Sequence, residues 1–207
     1  MHLRPRFTPW MGKTLICASL MSLVLLLTAG WTSTFGEPPE RHPAAMDELV
    51  PIDGCGLRRA YKVCEGFYRG GRLSPEGAAY LKSIGVKTVI SLRMVGNDEC
   101  FIREAGLNYV HISFKVWRPN DEQVVQFLQV ATDPNCQPVY VYCNRGAERT
   151  GMMSAIYRTV VCGWSREEAL QEMTQGPFDY HSIYKKVRIY VENIDVESIR
   201  RQAGLAN

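Results

Sequence analysis

The stretch from Val139 to Gly151, Val-Tyr-Val-Tyr-Cys-Asn-Arg-Gly-Ala-Glu-Arg-Thr-Gly, constrains this chain more than any other. Its first four residues, preceded by Pro138, predict a short buried strand. A polar loop with one glycine follows, and the largely apolar run from Met152 to Cys162 predicts a buried helix. A strand that turns through such a loop into a helix gathers backbone N–H groups on one side, and the helix N-terminus adds partial positive charge. The loop is therefore a trap for a phosphate, held by Asn144, Arg145, Gly146, Ala147, Glu148, Arg149 and Thr150. Arg149 can grip two phosphate oxygens with its planar fork. Cys143, at the mouth of the same positive field, is favoured as a thiolate nucleophile. The Thr150 hydroxyl, one residue past the arginine, is expected to donate to the sulfur.

Cys-x5-Arg-Thr-Gly between a strand and a helix resembles the signature of the cysteine-dependent protein tyrosine and dual-specificity phosphatase superfamily, in particular its small bacterial and atypical dual-specificity members. The passage from Tyr68-Arg69 through Ser74-Pro75-Glu76 to Gly85-Val86-Lys87-Thr88-Val89-Ile90-Ser91-Leu92-Arg93 also resembles the entry of those enzymes, so the likeness covers most of residues 66 to 195. It implies that Cys143 attacks phosphorus, Arg149 holds the phosphoryl oxygens and a nearby acid protonates the leaving oxygen. Neither metal nor other cofactor is implied, because Arg149 and the loop dipoles supply the positive charge.

Two positions depart from the family pattern. Tyr142 stands where the family usually has histidine, and Lys115-Val116 stand where its catalytic aspartate usually follows a strand. Two acids remain as candidates, Asp121 and Glu148. With Asn120 and Gln123 in a capping pattern, Asp121 also suits the first turn of a helix. Glu148, inside the loop and beside Arg149, has its distance from the sulfur fixed by the loop itself. The substrate implied is a phosphorylated protein or a small phosphorylated ligand, such as a phosphoinositide or an inositol polyphosphate. The rival readings are a weakly active phosphate-binding pseudophosphatase and a sulfur-transfer enzyme of the rhodanese kind.

The rest of the chain sets the context. Arg4, Arg6 and Lys13 precede an uncharged, mostly apolar run from Thr14 to Trp31, the pattern of a signal peptide or N-terminal membrane anchor in residues 1–36. By the positive-inside rule the remainder crosses the membrane, so the protein is expected to be membrane-anchored or exported with its catalytic domain outside the cytoplasm. Pro38, Pro39, Pro43 and Pro51 mark residues 37–51 as a linker, and residues 52–207 form the catalytic domain. A net charge of +3 lacks the clustered excess of a nucleic-acid binder. The seven cysteines show no metal-ligand spacing; Cys55 and Cys64 are close enough to pair in an oxidising compartment, and two unpaired thiols fit the sequence as well.

Strand and helix signals then alternate. Gly66 to Arg72 reads as a strand entering a glycine turn, and Ser74-Pro75-Glu76 opens a helix that ends at Gly85. Val86–Leu92 and Leu107–Phe114 are expected strands, with a helix at Asn97–Ala105 between them and His111 at the sheet edge. Lys115 to Asn120 is a loop, and the next helix runs to about Ala131 with Val124, Phe127, Leu128 and Ala131 on one face. Ser165-Arg166-Glu167-Glu168 is a capping box. Ile183, Val187, Tyr190, Val191 and Ile194 mark a last amphipathic helix, and Met152, Met153 and Met173 are core fillers. The order implies an α/β fold in which a mostly parallel central sheet is flanked by helices, the ligand lying at the carboxyl ends of the strands.

Overall fold

Six strands build one sheet in the order β1-β2-β3-β6-β4-β5. They are β1 (Val50–Pro51), β2 (Tyr61–Cys64), β3 (Phe67–Gly70), β4 (Thr88–Ser91), β5 (Asn108–His111) and β6 (Val139–Tyr142). Helices α1 (Pro75–Ser83), α2 (Glu99–Glu104), α3 (Asp121–Ala131), α4 (Glu148–Val160), α5 (Arg166–Gln175), α6 (Lys185–Asn193) and α7 (Val196–Gln202) cover its faces. This is a computed structural model, and it describes residues 48–205. The chain divides into units Met1–Arg41 and His42–Asn207, and every described residue belongs to the second. The expected signal or anchor in residues 1–36, and residues 37–47 of the linker, lie outside the described residues.

The sheet is mixed, its parallel part being the four strands on one side and its antiparallel part the two at the other edge. Strands β3, β6, β4 and β5 run parallel, but β2 pairs antiparallel with β3 and with β1. The cause is local: Glu65-Gly66 is too short for a crossover, and Gly66 turns the chain back at φ +74°. Elsewhere the elements fall within a few residues of expectation, apart from β1, which takes Val50 and Pro51 of the expected linker into the sheet, and from β2 and α7; each carries too short a pattern to be read alone.

Central β6 is buried along its whole length. Val139, Val141 and Cys143 face a core built with α3, α4, α5, α6 and α7, while Tyr140 and Tyr142 face a second core under α1 and α2. That alternation is the period-2 pattern of a strand covered on both sides. Met152, Met153 and Met173 fill the first core as expected. The caps also form: Ser74 accepts from the Gly77 N–H, Asn120 from Gln123, and Ser165 and Glu168 close a capping box. Helix α4 begins at Glu148, four residues before the apolar run that marked it, so Glu148 and Arg149 sit in its first turn. Cys55 is exposed. The Sγ of Cys64 lies 4.0 Å from that of Cys162, just beyond the end of α4.

Candidate active site

Cys143 follows the last residue of β6 and is 2% exposed. The loop behind it turns on Gly146, whose φ is +76° and whose N–H donates to the Cys143 Sγ at 3.3 Å. A Cβ on Gly146 would stand 2.6 Å from the carbonyl carbon of Gly70 and 2.7 Å from the Gly71 nitrogen, so only glycine fits. The Thr150 hydroxyl does not reach the sulfur. It donates to the Gly70 carbonyl at 3.4 Å, tying α4 to β3, and this corrects the expected contact. What holds the sulfur is a backbone N–H.

A cavity of about 110 Å³ opens over Cys143. Asn144, Arg145, Glu148 and Arg149 line it beside the cysteine, and Val116 and Tyr184 wall it. Five of the residues expected in the site therefore share one cavity, with Gly146, Ala147 and Thr150 buried behind it. The Arg149 Nε is buried and has no hydrogen-bond partner among the described residues. A cleft of about 750 Å³ away from the cysteine is lined by Glu48, Glu168 and Glu172, a charge that repels a phosphate. Among the described residues no group of His, Cys, Asp and Glu is arranged to hold a metal.

The two candidate acids differ in position. Glu148 is 6% exposed, lines the cavity, and accepts a hydrogen bond from His181 Nδ1 at 2.7 Å. Asp121 stands in the first turn of α3 beside its Asn120 cap, and accepts from the Tyr190 hydroxyl of α6. Asp121 is not among the residues lining the cavity. The Arg145 guanidinium turns sideways to Asp179, 2.8 Å away, and to His181. Arg59 closes this clamp by donating to Asp179 at 2.7 Å and to the Arg145 carbonyl at 3.1 Å. The segment 179–184 is thereby fastened to the loop and carries Tyr184 to the cavity wall. Nothing in the sequence marked His181, Asp179 or Tyr184, because they join the site only through tertiary contacts.

Tyr142, the residue in place of histidine, points into the other core. Its hydroxyl donates to Asp98 Oδ2 at 3.0 Å. Asp98 is fully buried and also accepts from Arg72, at 2.8 Å, and from Arg93. Arg93 Nε donates in turn to Asn144 Oδ1 at 2.7 Å, so a chain of hydrogen bonds runs from Tyr142 through Asp98 and Arg93 to the loop. Burial pushes the Asp98 carboxyl up, but donation by Arg72, Arg93 and Tyr142 outweighs it and leaves the group below the usual aspartate range. A carboxyl depressed in the folded state contributes stability above its unfolded value of about 4, and that contribution is lost as pH falls through the folded value. Asp98→Asn should therefore cost about 3 kcal/mol at neutral pH, since it breaks a buried pair and leaves two cations short of a partner. The cost should shrink in acid, and urea melts at pH 7 and pH 3 measure it. An equal loss at both would rule out the ion pair as its source.

Residues 59–189 match the family model described as DSP-PTPase phosphatase fused to NAD+ kinase. The chain is similar to the dual specificity protein phosphatase TpbA of Pseudomonas aeruginosa strain UCBPP-PA14, at 30% identity over 141 residues. That match covers 68% of this chain and 64% of the relative, so the chain spans less than two thirds of that protein's length. The crystal structure of P. aeruginosa TpbA in complex with pTyr is similar with a TM-score of 0.68 and 26% identity, covering 79% of this chain and 99% of that one. The core catalytic domain of the PP-IP phosphatase SIW14 from S. cerevisiae shares the fold, with a TM-score of 0.60 and 19% identity over 71% of this chain and 92% of that one.

Proposed function

The chain belongs to the DSP-PTPase phosphatase family, and on that premise we propose that it hydrolyses phosphomonoesters through a phosphocysteine intermediate. The observation that carries this reading is the joint cavity of Cys143 and Arg149, floored by a loop whose Gly146 N–H already points at the sulfur. Cys143 Sγ attacks phosphorus and the bond to the leaving oxygen breaks. The Arg149 fork and the N–H groups of residues 144–149, at the N-terminus of α4, stabilise the three equatorial oxygens as charge gathers on them. Glu148 gives its proton to the departing oxygen. The same carboxylate then takes a proton from the water that attacks phosphorus, which breaks the S–P bond and returns the thiolate. Its place on the cavity wall supports Glu148 over Asp121 in this role.

Phosphotyrosine, phosphoserine or phosphothreonine on a protein is the substrate class, in line with pTyr in the TpbA complex. A phosphorylated inositol is the second reading, favoured by exposed Lys115 and Arg118 on either side of the wall residue Val116 and its neighbour Trp117. Assaying the purified protein with p-nitrophenyl phosphate, a phosphotyrosine peptide and inositol polyphosphates ranks the classes, and thiosulfate with cyanide is the control. Sulfur transfer without phosphate release, or phosphate binding without turnover, would overturn the assignment. Arg4, Arg6 and Lys13 ahead of the apolar run 14–31 support delivery of the domain to or across a membrane. An export-dependent reporter fused after residue 47 tests this, and a silent reporter counts against it.

A further inference from the structure

We propose that Arg69 is a positioning residue that locks the Gly146–Ala147 peptide and so keeps the phosphate loop in its anion-binding form. The proposal rests on the phosphatase reading of the same loop and adds the device that holds it.

Arg69 lies on β3 and is fully buried. Its guanidinium carbon sits 3.4 Å from the centroid of the Phe178 ring, a cation–π contact. Among the described residues no carboxylate is within ion-pair distance, and its Nε and Nη1 have no hydrogen-bond partner. Among the described residues the one hydrogen bond of this side chain runs from Nη2 to the Gly146 carbonyl, 2.9 Å away. Burial lowers the guanidinium to about 10 against the opposing fields of Glu172 and Cys143, so it remains a cation at neutral pH. A buried cation with one hydrogen bond is poor for stability, and an apolar side chain of similar volume would serve the core better. What the guanidinium fork adds beyond charge is directional, its hydrogen bond to the Gly146 carbonyl.

Gly146 must be glycine because Gly70 and Gly71 press against it. Glycine, however, also lets the flanking peptides rotate more freely than any other residue does. The N–H of Gly146 is spoken for by the Cys143 sulfur, which leaves the following peptide as the free element. Its carbonyl points back to Arg69, and because a trans peptide sets C=O and N–H opposite one another, the Ala147 N–H faces away from the core. A rotation of this peptide would bring a carbonyl oxygen round to where an N–H is needed. Arg69, fixed between Phe178 and β3, opposes that rotation.

The test compares full-length Arg69→Met, which keeps the apolar stem, with Arg69→Lys, which keeps the charge without the fork. Three quantities are read: thermal midpoint, the rate of iodoacetamide labelling at Cys143 by mass spectrometry, and the inorganic phosphate concentration that halves this labelling. In Arg69→Met the midpoint should stay or rise while the protecting phosphate concentration increases at least tenfold. Labelling without phosphate should change at least threefold, and Arg69→Lys should recover part of both effects. Unchanged protection and labelling in Arg69→Met would overturn the proposal. So would a loss of protection that merely follows a lowered midpoint in both variants. Should Arg69→Met not fold, a folded Arg69→Lys with parental phosphate protection would also overturn it. Failure of the phosphatase reading shows up separately, as no turnover by the parent protein, and the labelling comparison still decides the role of Arg69.

Discussion

Cys143→Ser should lower turnover of p-nitrophenyl phosphate by about 10⁴- to 10⁶-fold, the range set by removing a covalent nucleophile. Inorganic phosphate or vanadate should still bind. The separation follows from where each contribution resides. The bond-forming atom is the Cys143 sulfur alone, and a serine hydroxyl in the same place keeps its proton at neutral pH. The anion contacts belong to other atoms: the Arg149 guanidinium, the N–H groups of the loop and the first turn of α4. The substitution exchanges one buried atom for a smaller one, so the cavity walls formed by Val116 and Tyr184 keep their shape. Turnover within tenfold of the parent would remove Cys143 from the mechanism. Loss of phosphate binding would mean that the loop needs the sulfur to hold its form, through the contact with the Gly146 N–H.

The parts of this site legible in the sequence are those built from neighbours in the chain. Cys143 to Arg149 reads as a phosphate loop because strand, turn and helix are contiguous, and the caps at Ser74, Asn120 and Ser165 read for the same reason. The supports of the loop come from afar. Asp98 is 44 residues from Tyr142, Arg69 is 77 from Gly146, and His181 is 33 from Glu148. Each is an ordinary polar residue in its local sequence. The sheet order, with β3 and β4 on either side of β6, brings Arg69 and Asp98 to the loop, and the contacts of Asp179 with Arg59 and Arg145 bring the segment of His181. The misplaced Thr150 contact has the same origin. Sequence spacing put its hydroxyl near the sulfur, but the close approach of β3 offers the Gly70 carbonyl instead. Tyr142 illustrates the reverse case. Its departure from the family pattern is plain in the sequence, yet only the buried Asp98 shows what its hydroxyl does, and that role relays to the loop through Arg93 and Asn144.

Glu148→Gln should cost about 10²–10⁴-fold on a phosphotyrosine peptide or an alkyl phosphate, and far less on an activated aryl phosphate. A general acid lowers the barrier only when the leaving oxygen needs a proton, and a good leaving group departs without one. Glutamine keeps the size of the side chain and can still accept from His181 through its amide oxygen, so packing and the link to segment 179–184 survive. Asp121→Asn is the matched control. It removes a charge from the first turn of α3 and weakens the bond from Tyr190, which should cost some tenths of a kcal/mol at the helix N-terminus. That cost should appear in the melting curve and not in the ratio of poor to good leaving groups, because Asp121 stands outside the cavity that holds Cys143. If Asp121→Asn instead produces the leaving-group dependence, the loop at 115–120 must close over the site during turnover, and the roles exchange. If neither variant changes the ratio, the proton reaches the leaving oxygen by another route, and the acid role of Glu148 falls with it.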